Sequence, residues 1–542
     1  MPDIDFLFEV CFETCNKVGG IYTVVSSKAM LMKEKYGNFI IIGPYYKGKS
    51  EEEFEEKDVP ENFKSIFEEL SNEGIVCHFG TWKIDGEPDT ILIDFEGYKG
   101  VLDHLKIRYW EEFNVDSLDS GWDFFEPMVW STAAGKIIEK FQQKNSDKKI
   151  IAHFHEWISG FGILLLKLAN SPVKTVFTTH ATMLGRTMSG NGKNLYGTIN
   201  EINPKEEAKS LGVLNKYSTE KACAENSDVF TTVSEITGLE AENILERKPD
   251  VLVLNGLDLR EFDTEDKLVE KKIEVKNMLI DFAGFFLDRK FEKEKTKIIF
   301  TSGRYEFKNK GIDILIKSLG KLNFEFQNNP SSFDGEIITF FFVPNAWTKI
   351  QNGLEDWSKK VRESDFENYK NNDLSTHELE NPDSDPLIKS LKENNLTNQD
   401  DSKIKCIVVP IYLSESDGLF NKEYYEITTG CDLSIFASLY EPWGYTPAES
   451  LAVGVPTISS DLAGFGRYIN SLDIETASVA RVIKRYLKDD NDAIEELKNS
   501  IREMINTQDD NIVKSCRTIS SKMDWREFVK FYDEAYRKAI EK

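Results

Sequence analysis

The sequence has 542 residues, 40% of them hydrophobic and 12% aromatic, a composition that builds complete hydrophobic cores and excludes an intrinsically disordered chain. Lys and Arg number 67 and Asp and Glu 93, so the formal net charge is −26. Because such an acidic surface repels phosphate backbones and anionic lipids, we expect neither nucleic acid nor a membrane as a partner.

Predicted strands and helices alternate along the chain. Helical patterns run, for example, over 22–35 and 311–322. Short apolar runs rich in β-branched residues and bounded by turn residues predict strands that are covered on both faces. These runs occupy residues 6–13, 39–43, 90–95, 150–155, 175–180, 229–234, 251–255, 297–302, 337–343, 404–410, 433–437 and 456–460. The alternation favours parallel, doubly wound sheets, in which ligands bind at the carboxyl ends of the strands.

The charge pattern divides these elements into two domains. A Lys- and Glu-rich stretch at 263–295 separates the two sets of strands and predicts a charged helical connector. We therefore expect an N-terminal Rossmann-like domain over 1–262 and a C-terminal one over 296–519. The latter carries a polar, loop-like insert at 346–403. The helical end, 520–542, is expected to pack back on the first domain.

The first motif is NKVGGIYTVV, which follows the first predicted strand. Gly19 and Gly20 allow the backbone to approach a ligand and to begin a helix. The free N–H groups at that helix start attract an anion, and Lys17 adds a charge beside them. An ordinary strand–helix turn is the alternative.

Two further motifs of the first domain contain histidine. In HFHEWISGFG we place His153 and His155 on opposite faces of the strand, so we expect no metal pair; His155 and Glu156 are candidates for ligand contact or for structure. In TTHATMLGR, His180 ends a predicted strand and Arg186 follows it. His180 can hydrogen-bond a sugar hydroxyl or a carbonyl, and a satisfied buried histidine is the alternative.

The second domain supplies a cation pair and a carboxylate pair. In SGRYEFKNKG, Arg304 and Lys310 follow a strand and predict an anion site, with a solvated loop pair as the alternative. In SLYEPWGYTPAES, Glu441 lies in a loop where a carboxylate can accept sugar hydroxyls. Thr446 is a predicted helix N-cap, and Glu449 is then the third residue of the helix. Glu449 is therefore a candidate for ligand contact, and closing a capping box is its structural alternative.

Taken in order, these stretches resemble one family. FETCNKVGGIYTVVSSKA, AHFHEW, TTHATMLGR, AENSDVFTTVSEIT, GRYEFKNKG, YEPWGYTPAES and MDWREF are similar to the eukaryotic-type glycogen synthases, which are retaining GT-B glycosyltransferases. The resemblance implies the GT-B fold, α/β with two doubly wound Rossmann-like domains facing a cleft. It also implies transfer of glucose from UDP-glucose to the non-reducing end of an α-1,4-glucan with retention of configuration.

The resemblance also assigns roles to residues. The diphosphate is expected on Arg304 and Lys310, and the glucose on His180, Arg186 and Glu441. The catalytic group is Glu441, Arg304, Lys310 and His180. The remaining donor-binding residues are Lys17, Gly19, Gly20, Arg186, Trp443, Gly444, Tyr445, Thr446 and Glu449, and the acceptor candidates are His155 and Glu156. No metal or other cofactor is implied, because the cations stabilise the leaving diphosphate.

The resemblance also leads to expectations about the partners and the regulation of the protein. We expect a cytoplasmic protein that acts on glycogen or another α-1,4-glucan, with a glycogenin-like primer and homo-oligomers as further partners. A retaining GT-B enzyme with another donor or acceptor, and a catalytically retired glucan-binding protein, are the alternatives. Residues 509–521 contain only Lys514 and Arg517 as cations, where animal and fungal relatives carry an arginine-rich helix. We therefore expect glucose 6-phosphate to have little effect.

Overall fold

The computed structural model describes residues 4–363, 373–473, 475–507 and 509–542. The chain forms two compact units. The first runs to Asp258 and includes Met523–Lys542, and the second is Leu259–Lys522. In the described part of the chain, no helix has the length and apolar character needed to span a membrane.

The first unit is built on a nine-stranded sheet in the order β3-β4-β5-β2-β1-β6-β7-β8-β9. Its strands are β1 (Phe6–Val10), β2 (Phe39–Pro44), β3 (Phe54–Glu56), β4 (Val76–Trp82), β5 (Asp89–Asp94), β6 (Ile150–His155), β7 (Lys174–Thr179), β8 (Val229–Thr232) and β9 (Val251–Leu252). The pairs from β5 to β9 are parallel, as predicted, and their strands are largely buried. The edge strand β3 and its neighbour β4 pair antiparallel and were not predicted, because their sequences FEE and VCHFGTW mix apolar with polar and glycine residues and give no continuous apolar run.

Helices cover this sheet. They are α1 (Gly20–Tyr36), α2 (Ser50–Glu53), α3 (Glu61–Asn72), α4 (Leu102–Phe113), α5 (Trp122–Lys144), α6 (Glu156–Leu168), α7 (Met183–Gly190), α8 (Leu195–Thr198), α9 (Pro204–Ser210), α10 (Leu214–Asn226) and α11 (Glu235–Ile244). The C-terminal helix of the chain, Trp525–Glu541, belongs to this unit. It is fixed there by buried Trp525, whose indole N–H donates to Ser27, and by Asp533, which pairs with Lys35.

The second unit holds a six-stranded, fully parallel sheet in the order β14-β11-β10-β15-β16-β17. Its strands are β10 (Thr296–Ser302), β11 (Glu336–Phe342), β14 (Ile404–Val409), β15 (Leu433–Phe436), β16 (Thr457–Ser460) and β17 (Ala480–Ile483). A separate antiparallel pair consists of β12 (Trp347–Ile350) and β13 (His377–Leu379). The helices of this unit are α12 (Glu265–Phe286), α13 (Ile312–Asn328), α14 (Trp357–Glu363), α15 (Pro386–Glu393), α16 (Tyr424–Thr429), α17 (Tyr445–Ala452), α18 (Gly464–Ser471), α19 (Asp490–Asn506) and α20 (Ile512–Ser520). The C-terminal helix of the first unit, Trp525–Glu541, is α21.

Two sequence expectations differ from this arrangement. The stretch 263–295, predicted as a helical connector between the domains, does contain a helix, but this helix, α12, belongs to the second unit and buries Leu279, Phe282 and Phe286. The insert at 346–403 is not merely a loop, since it contains β12, β13, α14 and α15; its residues 364–372 lie outside the described part of the chain.

Each sheet has a point where the strand order reverses. In the first unit it lies between β1 and β6, and in the second between β10 and β15. Ligands of open parallel sheets bind beyond the carboxyl ends of the strands at such points. The predicted site residues follow β1, β6 and β7 in the first unit and β10 and β15 in the second.

Candidate functional site

A buried ion pair lies beneath the switch point of the first unit. Glu9 is in β1 and Lys28 in α1, and the Lys28 ammonium contacts Glu9 Oε1 with both side chains wholly buried. The register of β1 and β6 sets Glu9 opposite His153. A charge inside a sheet is tolerated only when it is paired and hydrogen-bonded, so the two residues depend on each other.

Histidines extend this pair towards the end of β7. His155 Nε2 lies 2.6 Å from Glu9 Oε1, and His155 Nδ1 lies 2.9 Å from His180 Nε2. The pKa values of His155 and His180 are both held well below their ordinary value, chiefly by burial, with the Lys28 charge adding to the effect. Both imidazoles are therefore neutral near pH 7.

The prediction that His153 and His155 face opposite sides is wrong. Residues two apart in a strand point to the same face, and their ring centroids lie 4.3 Å apart. His153 instead contacts Tyr536 Oη at 2.9 Å and Thr178 Oγ1 at 2.6 Å. It is thus a satisfied core histidine that ties α21 to the sheet.

The cluster of Glu9, His153 and His155 has the spacing of a metal site, because one ligand atom from each lies within 4.8 Å of the others. The Lys28 ammonium already supplies the positive charge at Glu9 Oε1. His155 directs its Nε2 at the same oxygen. A metal ion would have to displace both, so the arrangement is that of a hydrogen-bonded network.

Glu156, the first residue of α6, has a strained backbone. Its φ is 66°, in the left-handed region that non-glycine residues seldom adopt and that is often found at functional sites. Its Oε1 accepts hydrogen bonds from the backbone N–H groups of His180, at 2.8 Å, and Ala181, at 3.2 Å. Burial raises the Glu156 pKa to about 7, against the opposing charge of Arg186. Glu156 therefore fixes the turn that carries His180.

The anion site predicted at Gly19 and Gly20 is taken by a side chain of the protein. Glu13 Oε2 accepts the backbone N–H groups of Gly19 and Tyr22, each at 2.8 Å. Burial raises the Glu13 pKa, and these N–H groups oppose the rise. A carboxylate at a helix N-terminus is stabilised by the helix dipole. In this conformation the start of α1 therefore holds Glu13 where a phosphate was expected.

The two predicted cations of the first unit lie at its surface. Lys17 is exposed, with its Nζ 5.4 Å from the centroid of the Tyr22 ring. Arg186 is exposed on α7, whose N-cap Thr182 accepts from Gly185 N. The Arg186 charge lowers the pKa of both Glu13 and Glu156 against the larger effect of burial. It is therefore near both carboxylates.

In the second unit the two predicted cations are separately paired. Lys310 Nζ forms an ion pair with Glu441 Oε2, and each of these side chains is 19% exposed. Arg304 contacts Glu306 at 2.9 Å with its own side chain 72% exposed. Glu441, for which the sequence suggested no structural partner, thus has one. The pair joins the turn after β10 to the loop after β15.

The loop from Trp443 to Thr446 leads directly into α17. Gly444 has φ 101° and is the N-cap, without a side-chain hydrogen bond to the helix. The predicted capping box is wrong, because α17 begins at Tyr445 and Thr446 already lies within it. Glu449 Oε1 instead accepts from Tyr425 Oη at 3.0 Å. Burial raises the Glu449 pKa to about 7.

Sequence reasoning missed Glu9, Glu13 and Lys28. A signal existed for Glu9, since a lone acid in the apolar run FLFEV requires a buried cationic partner. Nothing in the local pattern marks Lys28 as that partner. Glu13 lies six residues before Gly19, and helix-capping side chains do not commonly have this spacing, so no local signal marked it.

Comparison with known proteins identifies the family of the chain. The family model described as Glycogen synthase matches residues 9–356 and 365–542. The chain is 30% identical over 581 residues to "Glycogen [starch] synthase, liver" of Homo sapiens, covering 98% of this chain and 82% of the relative. It is 31% identical over 595 residues to "Glycogen [starch] synthase" of Neurospora crassa, covering 98% and 84%.

A solved structure shares the fold. The catalytic domain of starch synthase IV from Arabidopsis thaliana, bound to ADP and acarbose, matches with a TM-score of 0.55 and 16% identity, covering all of both chains. The fold is therefore GT-B, as the sequence indicated. With the family match over nearly its whole length, this chain belongs to the glycogen synthase family.

Proposed function

We propose that this protein transfers glucose from UDP-glucose to the non-reducing end of an α-1,4-glucan, with retention of configuration. The observation that supports this most is the family match together with the position of the predicted residues. Lys17, His180, Arg304, Lys310 and Glu441 are all present, each in the segment that follows a parallel strand; Lys17, Arg304, Lys310 and Glu441 follow β1, β10 and β15, which flank the points where strand order reverses, and His180 follows β7. A retired relative would be expected to have lost one of them.

The Lys310–Glu441 ion pair indicates the order in which the charged groups change partners when the donor binds. When UDP-glucose binds, its diphosphate competes with Glu441 for the Lys310 ammonium. Glu441 is then released to accept hydroxyls of the glucose, while Lys310 and Arg304 neutralise the charge that develops on the leaving UDP. Charge stabilisation of this kind supplies much of the rate enhancement in comparable reactions, and it makes a divalent cation unnecessary.

We further propose that attack by the acceptor hydroxyl occurs on the face from which UDP departs. The departing phosphate oxygen accepts the proton of that hydroxyl as the new glycosidic bond forms, which retains the configuration. His180 and Arg186 bind the glucose during transfer. The two-carboxylate scheme of retaining glycosidases is not required.

The test measures release of nucleoside diphosphate from UDP-glucose and from ADP-glucose, each with and without glycogen. We expect release from UDP-glucose that depends on glycogen, with product chains degraded by an α-1,4-specific glucosidase. Faster release from ADP-glucose would correct the donor. No release from either donor, with folded protein, would favour a glucan-binding protein.

A further inference from the structure

A continuous chain of contacts connects the core of the first unit to His180. It runs from Lys28 to Glu9, then to His155 and His180, through the ion pair and the contacts of 2.6 and 2.9 Å. All four residues lie in one unit. His180 is the member predicted to bind the transferred glucose.

The proton positions along the chain follow from Glu9. Glu9 Oε1 forms an ion pair with the Lys28 ammonium, and the carboxylate of an ion pair only accepts hydrogen bonds. His155 must therefore carry a proton on Nε2 and donate it to Glu9 Oε1. Because burial and the Lys28 charge hold the pKa of His155 well below its ordinary value, the ring is neutral and its Nδ1 has a lone pair.

The same argument continues to His180. His155 Nδ1 can only accept, so His180 Nε2 carries the proton of the 2.9 Å contact. The pKa of His180 is also held well below its ordinary value, first by burial and then by the charges of its neighbours. The ring is thus neutral and its Nδ1 is bare. Within the described residues, no side chain or backbone group donates to this atom.

We propose that Glu9 and His155 are positioning residues that hold His180 as the Nε2-protonated imidazole, so that its Nδ1 accepts a hydrogen bond from a sugar hydroxyl. Of the two ligand contacts that the sequence allowed for His180, this proposal selects the hydroxyl, since a bare Nδ1 cannot donate to a carbonyl. The role in substrate binding depends on the proposed function; the protonation state does not.

The buried ion pair itself supports a positioning role. Two charges taken wholly out of water add little net stability, and well-packed apolar residues of the same size are often as stable. Among the residues that the structure describes, Glu9 Oε2 has no hydrogen-bond partner, so the hydrogen bonds of this carboxylate converge on Oε1. Lys28 thus holds the Glu9 carboxylate in place, and Glu9 Oε1 accepts the hydrogen bond from His155.

The first experiment observes the tautomers directly. The chain has six histidines, so selective 15N-histidine labelling of the full-length protein and long-range 1H–15N NMR give few ring signals. The variants His180→Gln and His155→Gln assign two of them. At pH 7 we expect His155 and His180 as neutral rings protonated on Nε2. A proton on His180 Nδ1, or a doubly protonated ring, would overturn the proposal whether or not the protein is active.

The second experiment compares two substitutions at His155. In His155→Gln the side-chain amide can donate to Glu9 and accept from His180, whereas in His155→Leu it can do neither. We expect kcat/KM to be about tenfold lower in the Leu variant than in the Gln variant, the scale of one lost hydrogen bond. His153→Gln is the matched control, because His153 is equally buried in the same strand but forms its hydrogen bonds with Tyr536 and Thr178. Equal activity of the Gln and Leu variants, at matched folded fractions, would contradict the proposal.

The third experiment tests the direction of the sugar contact with monodeoxy and monofluoro donors altered at C3, C4 or C6. Fluorine can accept a hydrogen bond but cannot donate one. At the position bound by His180 we expect the fluoro donor to be as poor as the deoxy donor. A fluoro donor that is used well where the deoxy donor fails would show that His180 donates. If UDP-glucose is not a substrate at all, the proposed function fails, while the NMR result still decides the tautomer.

Discussion

Glu449 offers a test in which the structure fixes both the sign and the size of an effect. Burial raises its pKa to about 7 from the ordinary 4.5. Each pH unit of difference corresponds to about 1.4 kcal/mol, so a rise of two to three pH units gives roughly 3 kcal/mol. Because the side chain is partly exposed and solvent screens it, we expect ~2 kcal/mol.

The sign follows from proton binding. Between pH 4.5 and about 7 the folded protein keeps a proton on Glu449 that the unfolded chain releases. The free energy of unfolding therefore falls as pH rises through this range. Glu449→Gln has no proton to lose and can still accept from Tyr425. Its stability relative to wild type should improve by ~1 kcal/mol between pH 5.5 and 8.0, or roughly 2–4 °C in Tm.

The assay is thermal unfolding of wild type and variant at both pH values. Glu495→Gln is the control in the same unit, because Lys321 and Lys498 hold the Glu495 pKa at about 2 and the carboxyl stays ionised throughout. Its difference from wild type should not change with pH. A difference between Glu449→Gln and wild type that is constant with pH, or that reverses in sign, would refute the reasoning.

Four further results are expected. Lys310→Met and Arg304→Ala should each lower kcat by roughly 10²–10³, since each removes charge stabilisation of the leaving diphosphate; near wild-type turnover in both would refute the diphosphate assignment. Glu441→Gln should abolish transfer with little change in Tm, because a partly exposed ion pair contributes ~1 kcal/mol or less; a large loss of stability with transfer intact would favour a structural role. Activity should persist in excess chelator, and loss restored by Mg²⁺ or Mn²⁺ would contradict this. Glucose 6-phosphate at sub-saturating UDP-glucose should change the rate little, because residues 509–521 contain only Lys514 and Arg517 as cations; strong activation would reveal an unrecognised site.

The sequence alone determined most strands of the two large sheets, the fold class and the order of the motifs. A buried parallel strand is usually a continuous apolar run that local composition identifies, and β6 was predicted to the residue. The parallel strand β17 was not predicted, because it is short and contains Arg481. The motifs follow those strands directly, so the positions of His180, Arg304 and Glu441 at strand ends were also predictable. The antiparallel strands β3 and β4 were not predicted, because their mixed sequences FEE and VCHFGTW lack that signal.

Only the tertiary structure decided which charges meet. Lys28 and Glu9 are 19 residues apart, Lys310 and Glu441 are 131 apart, and His155 and Glu9 are 146 apart. Such partners are set by strand order and by the packing of helices on the sheet, which no local pattern contains. For the same reason the sequence predicted an open anion site at Gly19, while folding places the Glu13 carboxylate there. Local periodicity thus determines which elements form, and long-range packing determines the state of the groups that they carry.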